Sequence, residues 1–376
     1  MTAFPCLPFF SRILASACLL LPFTALPPGS AEAADCGTSL SGMVGEMIMV
    51  GFRGTELSDD AAVLRALASG RAGGVVLFSR DVLLGGDRNI KSPSQVRSLV
   101  ERLKSAAPGP IFVAVDQEGG KIRRLAPCNG FPARPSALEL GRGPVQDTRR
   151  SALDMGRDLS SAGFNLNFAP VVDLHRQNSP VIGDLERAFH ADAAVVTEHA
   201  RAFVDGMSLA GVLCVLKHFP GHGSASDDTH TGPADVTDRW DEEELRPYRA
   251  LQAQGFNGMI MAGHVILRRF DELPASLSPA ILTGLLRRDL GWDGVIITDD
   301  LQMGALADRY SLKEIMASAV AAGADILLFG NNMLHDEHMA LNAHASLMEL
   351  VAEGRVTPAR IRESWLRIRR LKQSLP

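Results

Sequence analysis

Histidine and carboxylate side chains are concentrated in one short stretch of the sequence. Lys217–Gly223 reads Lys-His-Phe-Pro-Gly-His-Gly, and Asp228 and His230 follow closely. An aspartate two positions before a histidine on an extended loop is placed to hydrogen-bond the imidazole and to stabilise its protonated form. The spacing therefore predicts that Asp228 orients His230 for proton transfer as a general acid/base.

A metal site is the competing interpretation of the same stretch, because His218, His222, His230 and Asp228 could supply nitrogen and oxygen ligands. Pro220 and the following glycine prevent His218 and His222 from sharing one helical face, as a zinc motif of the H-x-x-x-H type requires. Nothing resembles a P-loop or an EF-hand calcium loop. We therefore expect neither a metal nor an organic cofactor.

Two adjacent carboxylates, Asp299 and Asp300, end an apolar run. Successive side chains of a strand face opposite ways, so only one of the two is expected to enter a site. Further polar residues end other apolar runs, namely Asp116, Asp173, Lys217, His218 and His264.

Eight short apolar runs, rich in Val, Ile, Leu and Met, alternate with helical patterns, as parallel strands buried on both faces require. This order predicts a single-domain α/β protein, a (β/α)8 TIM-type barrel with its chemistry at the carboxyl ends of the strands. A Rossmann fold is excluded because Gly119-Gly120 does not form the G-x-G-x-x-G pattern. The predicted strands are Met47–Phe52, Gly74–Phe78, Ile111–Asp116, Leu166–Asp173, Val212–Phe219, Met259–Val265, Val295–Asp299 and Ile326–Gly330.

Capping patterns mark the helices between these runs. Ser92-Pro93, Ser278-Pro279 and Thr357-Pro358 each predict a helix start, and Ser311 with Glu314 predicts a capping box. The loop over residues 220–232 has little apolar content to anchor it, so we expect it to be mobile without ligand.

The formal net charge of the 376 residues is -5, and no long basic run is present. Nucleic acid is therefore not an expected partner, and a neutral or weakly charged substrate fits best. The arginines within Arg355–Lys372 alternate with apolar residues at helical spacing, including Leu366, which predicts a solvated helix face.

The N-terminus predicts a secretory signal peptide over residues 1–33, with apolar Ile13–Ala25 and a small-x-small cleavage signal at Ala31–Ala33. An uncleaved anchor is the alternative. We expect an exported, periplasmic or secreted monomer in which residues 34–376 form the catalytic domain, without membrane insertion once the leader is removed. Of the cysteines that remain, Cys214 is expected to be a buried thiol, and pairing of Cys36 with Cys128 is left open.

The sequence resembles glycoside hydrolase family 3, and more closely its single-domain β-N-acetylglucosaminidase branch. The similarity extends from about Gly42 to Asn332. It rests on three motifs in this order, which are Val115–Gly120, Lys217–Gly223 with Asp228-x-His230, and Ile297–Leu301.

The resemblance implies that Asp299 is the nucleophile, that His230 is the acid/base with Asp228 as its partner, and that Asp300 turns away from the sugar. It also implies a set of residues that hydrogen-bond the sugar hydroxyls, namely Asp116, Arg124, Arg187, Lys217 and His218. The chain departs from the branch at Ile182–Phe189, where extra residues precede Arg187.

The implied activity is retaining exo-hydrolysis of terminal β-linked N-acetylglucosamine from peptidoglycan fragments or related glycans. Phosphorolysis of the same bond is the nearest alternative. A β-glucosidase is less favoured, because those relatives use a second domain for which the chain leaves no room. A catalytically silent sugar-binding or cell-wall module would keep the polar rim without needing Asp299 or His230.

Overall fold

The computed structural model describes residues 1–3, 38–226, 232 and 234–375. Ser39–Pro376 form one unit, separate from Met1–Thr38. The predicted leader and Cys36 fall almost entirely on residues 4–37, outside the described part of the chain. Within the described residues, none of the helices combines the length and apolar content needed to cross a bilayer.

The described residues of the larger unit form an eight-stranded parallel sheet. Each strand pairs with the strand before it, the first pairs with the last, and a bridge between Ile297 and Ile326 joins the last two strands into a ring. The strands are β1 Ile48–Gly51, β2 Gly74–Leu77, β3 Phe112–Val115, β4 Leu166–Asn167, β5 Leu213–Phe219, β6 Met259–Ala262, β7 Val295–Thr298 and β8 Leu327–Phe329.

This arrangement confirms the predicted TIM-type barrel, and each predicted run contains one strand. The apolar strand residues are almost all buried and form one core with the surrounding helices. Strand β4 is shorter than its predicted run because Pro170 has no N–H to donate to a neighbouring strand. Two small ladders lie outside the barrel, an antiparallel pair Gln117–Gly119 with Ile122–Arg123 and a parallel pair Ala234–Asp235 with Val265–Ile266.

Helices follow the strands, and their predicted starts are largely confirmed. Ser92 and Thr357 cap their helices with Pro at the first turn, and Ser311 forms the predicted capping box with Glu314. The predicted start at Ser278-Pro279 is confirmed as well, with Ser278 Oγ accepting from Ile281 N at 3.2 Å, but the turns that follow are of the wider π type. The helices of the described residues are Leu40–Glu46, Ala62–Ala68, Pro93–Ala106, Ala137–Gly141, Val145–Ser161, Ala193–Leu209, Arg246–Ala253, Ala280–Asp289, Gly304–Ala307, Leu312–Ala322, Met339–Ala352 and Pro358–Lys372, with short 3-10 turns at Pro127–Asn129, Glu242–Leu245 and Ala275–Leu277.

The prediction of a solvated arginine face on the last helix is wrong in part. Arg360 and Arg367 are mostly buried and pair with Asp325, which is fully buried just before β8. The helix therefore turns part of its basic face toward the amino ends of the strands, while Leu366 is exposed rather than packed. Cys214 is a buried free thiol, as predicted, and Cys128 is exposed and free.

Candidate active site

A cavity of about 490 Å³ lies at the carboxyl ends of the strands. That volume is within the range of small-molecule sites. The cavity brings together six of the predicted site residues, which are Asp116, Arg124, Arg187, Lys217, His218 and Asp299.

The floor of the cavity is a network of ion pairs. The buried Lys217 Nζ lies 2.8 Å from Asp116 Oδ1 and 2.7 Å from Glu118 Oε1. Arg187 donates to both carboxylate oxygens of Glu118, at 2.8 and 2.9 Å. Arg124 Nη2 lies 3.3 Å from Asp116 Oδ2. We call these five residues the ionic frame.

Charge compensation keeps the ionic frame ionised. Burial alone would raise the pKa of Asp116, but Lys217, Arg124 and Arg187 outweigh it and hold that pKa well below its usual range. Burial opposes ionisation of Glu118 in the same way, and Arg187 with Lys217 lowers its pKa. Burial would lower the pKa of Arg187, yet Glu118 and the neighbouring aspartates raise it. The site therefore offers fixed charges to a polar ligand.

A tight hairpin after β3 holds the acidic half of the ionic frame. The buried Gln117 side chain accepts from Arg124 N and Leu125 N and donates to Leu125 O. Gly119 and Gly120 both have positive φ, and a Cβ on Gly119 would lie 2.2 Å from Pro135 O. Only glycine fits such a turn without strain, so the hairpin fixes Asp116, Glu118 and Arg124 together.

Arg187 reaches the cavity in spite of the extra residues before it. Those residues form tight turns in which Glu186 N bonds Gly183 O and Arg187 N bonds Ile182 O. Glu186 itself adopts positive φ. The insertion is thus absorbed locally, and the guanidinium lies 3.4 Å from His218 Nε2.

His218 is held by Asp173, which follows β4. Its Nδ1 lies 2.7 Å from Asp173 Oδ2, and Asp173 Oδ1 accepts from the backbone N–H groups of His218 and His222. Burial opposes the charge of Asp173, but His218 holds its pKa below the usual value. With Nδ1 directed at Asp173, Nε2 is the His218 nitrogen that is directed at Arg187 and the cavity.

The loop after β5 begins as a packed segment. Gly221 and Gly223 are buried, and a Cβ on Gly223 would lie 2.0 Å from Leu174 O. Ser224 Oγ bonds Arg239 O and Glu244 Oε1. Residues 221–225 are therefore packed and Ser226 is exposed, while the mobility of the loop without ligand stays a prediction.

Asp228 and His230 lie outside the described residues, so their acid/base role stays a prediction. His222 lines the cavity, and its pKa is lowered to about 4 by burial and by the nearby His218. Among the described residues, no group of three or more His, Cys, Asp or Glu side chains is arranged to hold a metal ion.

Asp299 and Asp300 follow β7 and both line the cavity. Asp299 Oδ1 accepts from Asp300 N at 2.8 Å, and Asp299 N donates to Ala262 O at 2.9 Å. Asp300 Oδ1 instead accepts from Gly330 N at 2.8 Å and Gln302 N at 3.1 Å. The carboxylate of Asp300 thus fastens the loop after β8.

Sequence reasoning left out three residues that the structure places around the site. Glu118 lies in a quoted motif, but nothing in the sequence says that it faces the cations. Asp173 ends an apolar run, but nothing in the sequence identifies His218 as its partner. Glu244 follows two other glutamates at a helix start, a pattern typical of a solvated turn, yet it is fully buried.

The fold and the site define a TIM-barrel enzyme whose charged cavity at the strand ends suits a polar organic ligand. The sequence profile of the glycosyl hydrolase family 3 N-terminal domain matches residues 39–371. The chain belongs to glycoside hydrolase family 3, which confirms the resemblance, and it is a glycoside hydrolase.

Similar proteins agree with this assignment. The chain is 39% identical over 296 residues to the Beta-hexosaminidase of Alkalilimnicola ehrlichii, covering 76% of this chain and 80% of that one. A family 3 β-N-acetylglucosaminidase from a Paenibacillus species has a TM-score of 0.81 and 34% identity, covering 90% of this chain and 63% of that one. A β-N-acetylhexosaminidase from Beutenbergia cavernae has a TM-score of 0.80 and 29% identity, covering 90% and 99%.

Proposed function

We propose that the protein is a retaining exo-β-N-acetylhexosaminidase that removes terminal β-linked N-acetylglucosamine. The observation that carries the proposal is that Asp299, at the end of β7, lines the same cavity as four residues of the ionic frame, Asp116, Arg124, Arg187 and Lys217. The names of the similar proteins support the choice of N-acetylglucosamine as the sugar.

Asp299 attacks the anomeric carbon and forms a covalent glycosyl-enzyme, while His230 protonates the departing oxygen. His230 then removes a proton from the water that releases the sugar, so the anomeric configuration is retained. Asp228 orients the imidazole and stabilises its protonated form. A histidine replaces the second carboxyl group found in most glycosidases.

The residues of the cavity floor bind the sugar hydroxyls. Asp116 accepts hydrogen bonds, Lys217, Arg124 and Arg187 donate them, and His218 Nε2 bonds a further hydroxyl. Because their mutual ion pairs fix these side chains before substrate arrives, little ordering is required on binding.

The cellular role is proposed on the predicted leader. Removal of residues 1–33 leaves an exported, monomeric catalytic domain over residues 34–376, which acts on peptidoglycan fragments or related glycans outside the cytoplasm.

Turnover of p-nitrophenyl β-N-acetylglucosaminide, compared with the β-glucoside, tests the proposal. We expect hydrolysis of the first at least about tenfold faster, with free β-N-acetylglucosamine as the first product by NMR, and no sugar phosphate when inorganic phosphate is added. Formation of N-acetylglucosamine 1-phosphate would identify a phosphorylase instead. Binding of the sugar without any turnover would identify a sugar-binding module.

A further inference from the structure

Exposed apolar side chains gather on one side of the cavity mouth. In the described part of the chain, seven large apolar side chains are exposed, namely Met1, Val82, Leu83, Leu84, Leu209, Leu334 and Leu366. Four of these seven, Val82, Leu83, Leu84 and Leu334, lie on the loops that follow β2 and β8. We call these four residues the apolar rim.

Hydrogen bonds join the two loops into one surface. Asn332 Oδ1 accepts from Val82 N at 3.0 Å, and Asn332 Nδ2 donates to Arg80 O at 3.1 Å. The buried Arg88 guanidinium donates to Asn331 O as well. Val82 of the apolar rim and Met333, the neighbour of Leu334 in the sequence, line the cavity itself, so both loops reach its mouth.

A buried charge holds the exposed leucines in place. Asp81 Oδ1 accepts from Leu83 N at 3.0 Å and from Leu84 N at 2.8 Å. Arg53 and Arg88 bond Asp81 Oδ2 at 2.7 and 2.5 Å, and the hydrogen bond from Arg53 is the largest cause of its lowered pKa. The loop after β2 therefore holds Leu83 and Leu84 rigidly while their side chains are exposed to water, as in preformed binding surfaces.

We propose that the apolar rim is the surface that contacts the aglycone and that it favours N-acetylglucosaminides with an alkyl or acyl chain near the scissile bond. This inference rests on the proposed function. An exo-acting enzyme holds the terminal sugar in the cavity, so the rest of the bound substrate must extend out through the mouth, which the apolar rim borders. A chain laid across Leu83 and Leu84 removes apolar surface from water on both sides.

Binding of two hydrolysis-resistant ligands tests the inference. Methyl and hexyl 1-thio-β-N-acetylglucosaminide place the same sugar in the cavity and differ only in the apolar chain. We expect calorimetry to show the hexyl compound binding the wild-type protein on the order of tenfold more tightly, because an open rim covers only part of the chain. The double variant Leu83→Ser, Leu84→Ser should bring the hexyl-to-methyl affinity ratio close to one.

Leu209→Ser is the matched control, because the exposure of Leu209, on a helix away from the cavity, lies between those of Leu83 and Leu84. It should keep the wild-type ratio. A wild-type protein that binds both ligands equally, or a double variant that keeps the preference, overturns the inference and leaves the proposed function intact. A double variant that keeps the wild-type hexyl-to-methyl affinity ratio but no longer sediments with phosphatidylglycerol vesicles would show that the apolar rim contacts lipid instead. That result also overturns the inference. Failure to bind either ligand overturns the proposed function and this inference with it.

Discussion

Paired charges of opposite sign explain how so many ionised groups share one small cavity. Glu118 is shared by Lys217 and Arg187, and Asp116 is shared by Lys217 and Arg124. Removing one partner of such a buried pair leaves an uncompensated charge. In the proposed complex, Glu118 therefore positions Lys217 and Arg187 without contacting the sugar itself.

The proposed nucleophile gives the first prediction. Asp299→Ala should lose nearly all hydrolysis, at least about a thousandfold in kcat, while keeping the wild-type melting temperature within a few degrees. The fold is preserved because Asp299 is only partly buried and lies at a strand end, where residues support chemistry rather than the core. Steady-state kinetics and thermal unfolding measure both quantities. Substantial residual turnover that azide does not increase would argue against a covalent intermediate on this residue.

The proposed acid/base gives the second prediction. His230→Ala should slow substrates with poor leaving groups far more than activated aryl glycosides, because an activated leaving group needs little protonation in the first step. Asp228→Asn should show the same pattern more mildly, since it removes the charge that stabilises the imidazolium. Pre-steady-state measurement of the glycosylation step with a series of leaving groups gives the comparison. Equal losses for all leaving groups would reduce His230 to a binding or structural residue.

At the scale of elements, the sequence predicts the barrel well because each strand is buried on both faces and therefore appears in the sequence as a continuous apolar run. Caps at Ser92, Ser311 and Thr357 are local too. Contacts between segments that are far apart in the sequence produce no such local pattern, so they cannot be predicted in this way. Nothing local distinguishes Glu244 from the exposed glutamates before it, since its burial depends on Gly221 and Leu174 packing over it.

Glu244 gives the third prediction, which concerns pH and stability. Burial, and then the nearby Asp173, raises the pKa of Glu244 to about 8 from its ordinary 4.5. The folded state thus holds a proton that the unfolded state has lost, so the contribution of Glu244 to stability falls as pH rises from about 4.5 to 8. Glu244→Gln removes this loss. Its unfolding free energy, relative to wild type, should increase by a few kcal/mol between pH 5 and pH 9, as measured by urea unfolding.

Glu243→Gln provides the control for Glu244, because Glu243 is exposed on the same turn and pairs only with Arg246 among the contacts described. Its difference from wild type should stay nearly constant over the same pH range. A constant difference for Glu244→Gln as well would mean that this carboxyl group ionises as readily in the folded protein as in the unfolded chain.

At the scale of the whole molecule, the predicted leader gives the fourth prediction. Protein recovered from the native envelope should begin near Ala34, because the apolar run ends before a small-x-small signal at Ala31–Ala33. Intact mass spectrometry decides the start of the chain, and reaction with a thiol reagent before and after unfolding should find Cys214 reactive only when unfolded. Retention of the first thirty or so residues would support an uncleaved anchor instead.

The two ends of the barrel have different roles, since the carboxyl ends of the strands form the active site and the amino ends stabilise the fold. Asp325 illustrates the second role. Asp325 lies just before β8, at the end opposite to Asp299, and is fully buried. It accepts from Arg287 at 2.6 Å and Ser364 at 2.8 Å, and pairs with Arg360 and Arg367 on the same last helix. Its carboxylate thus joins elements that are far apart in the sequence.

The fifth prediction follows from this position. Asp325→Ala leaves a cluster of partly buried arginines without their shared anion, and should lower the unfolding free energy by about 3–5 kcal/mol. The KM of the folded variant should not change, because the amino ends of barrel strands support stability rather than catalysis. Asp293→Ala is the matched control. Asp293 also pairs with Arg367, but it is exposed, and its loss should cost less than about 1 kcal/mol. Equal stability of the two variants would contradict this prediction. It would mean that the arginines around Asp325 are solvated well enough to need no buried partner, and that the apolar face of the last helix alone packs it against the barrel.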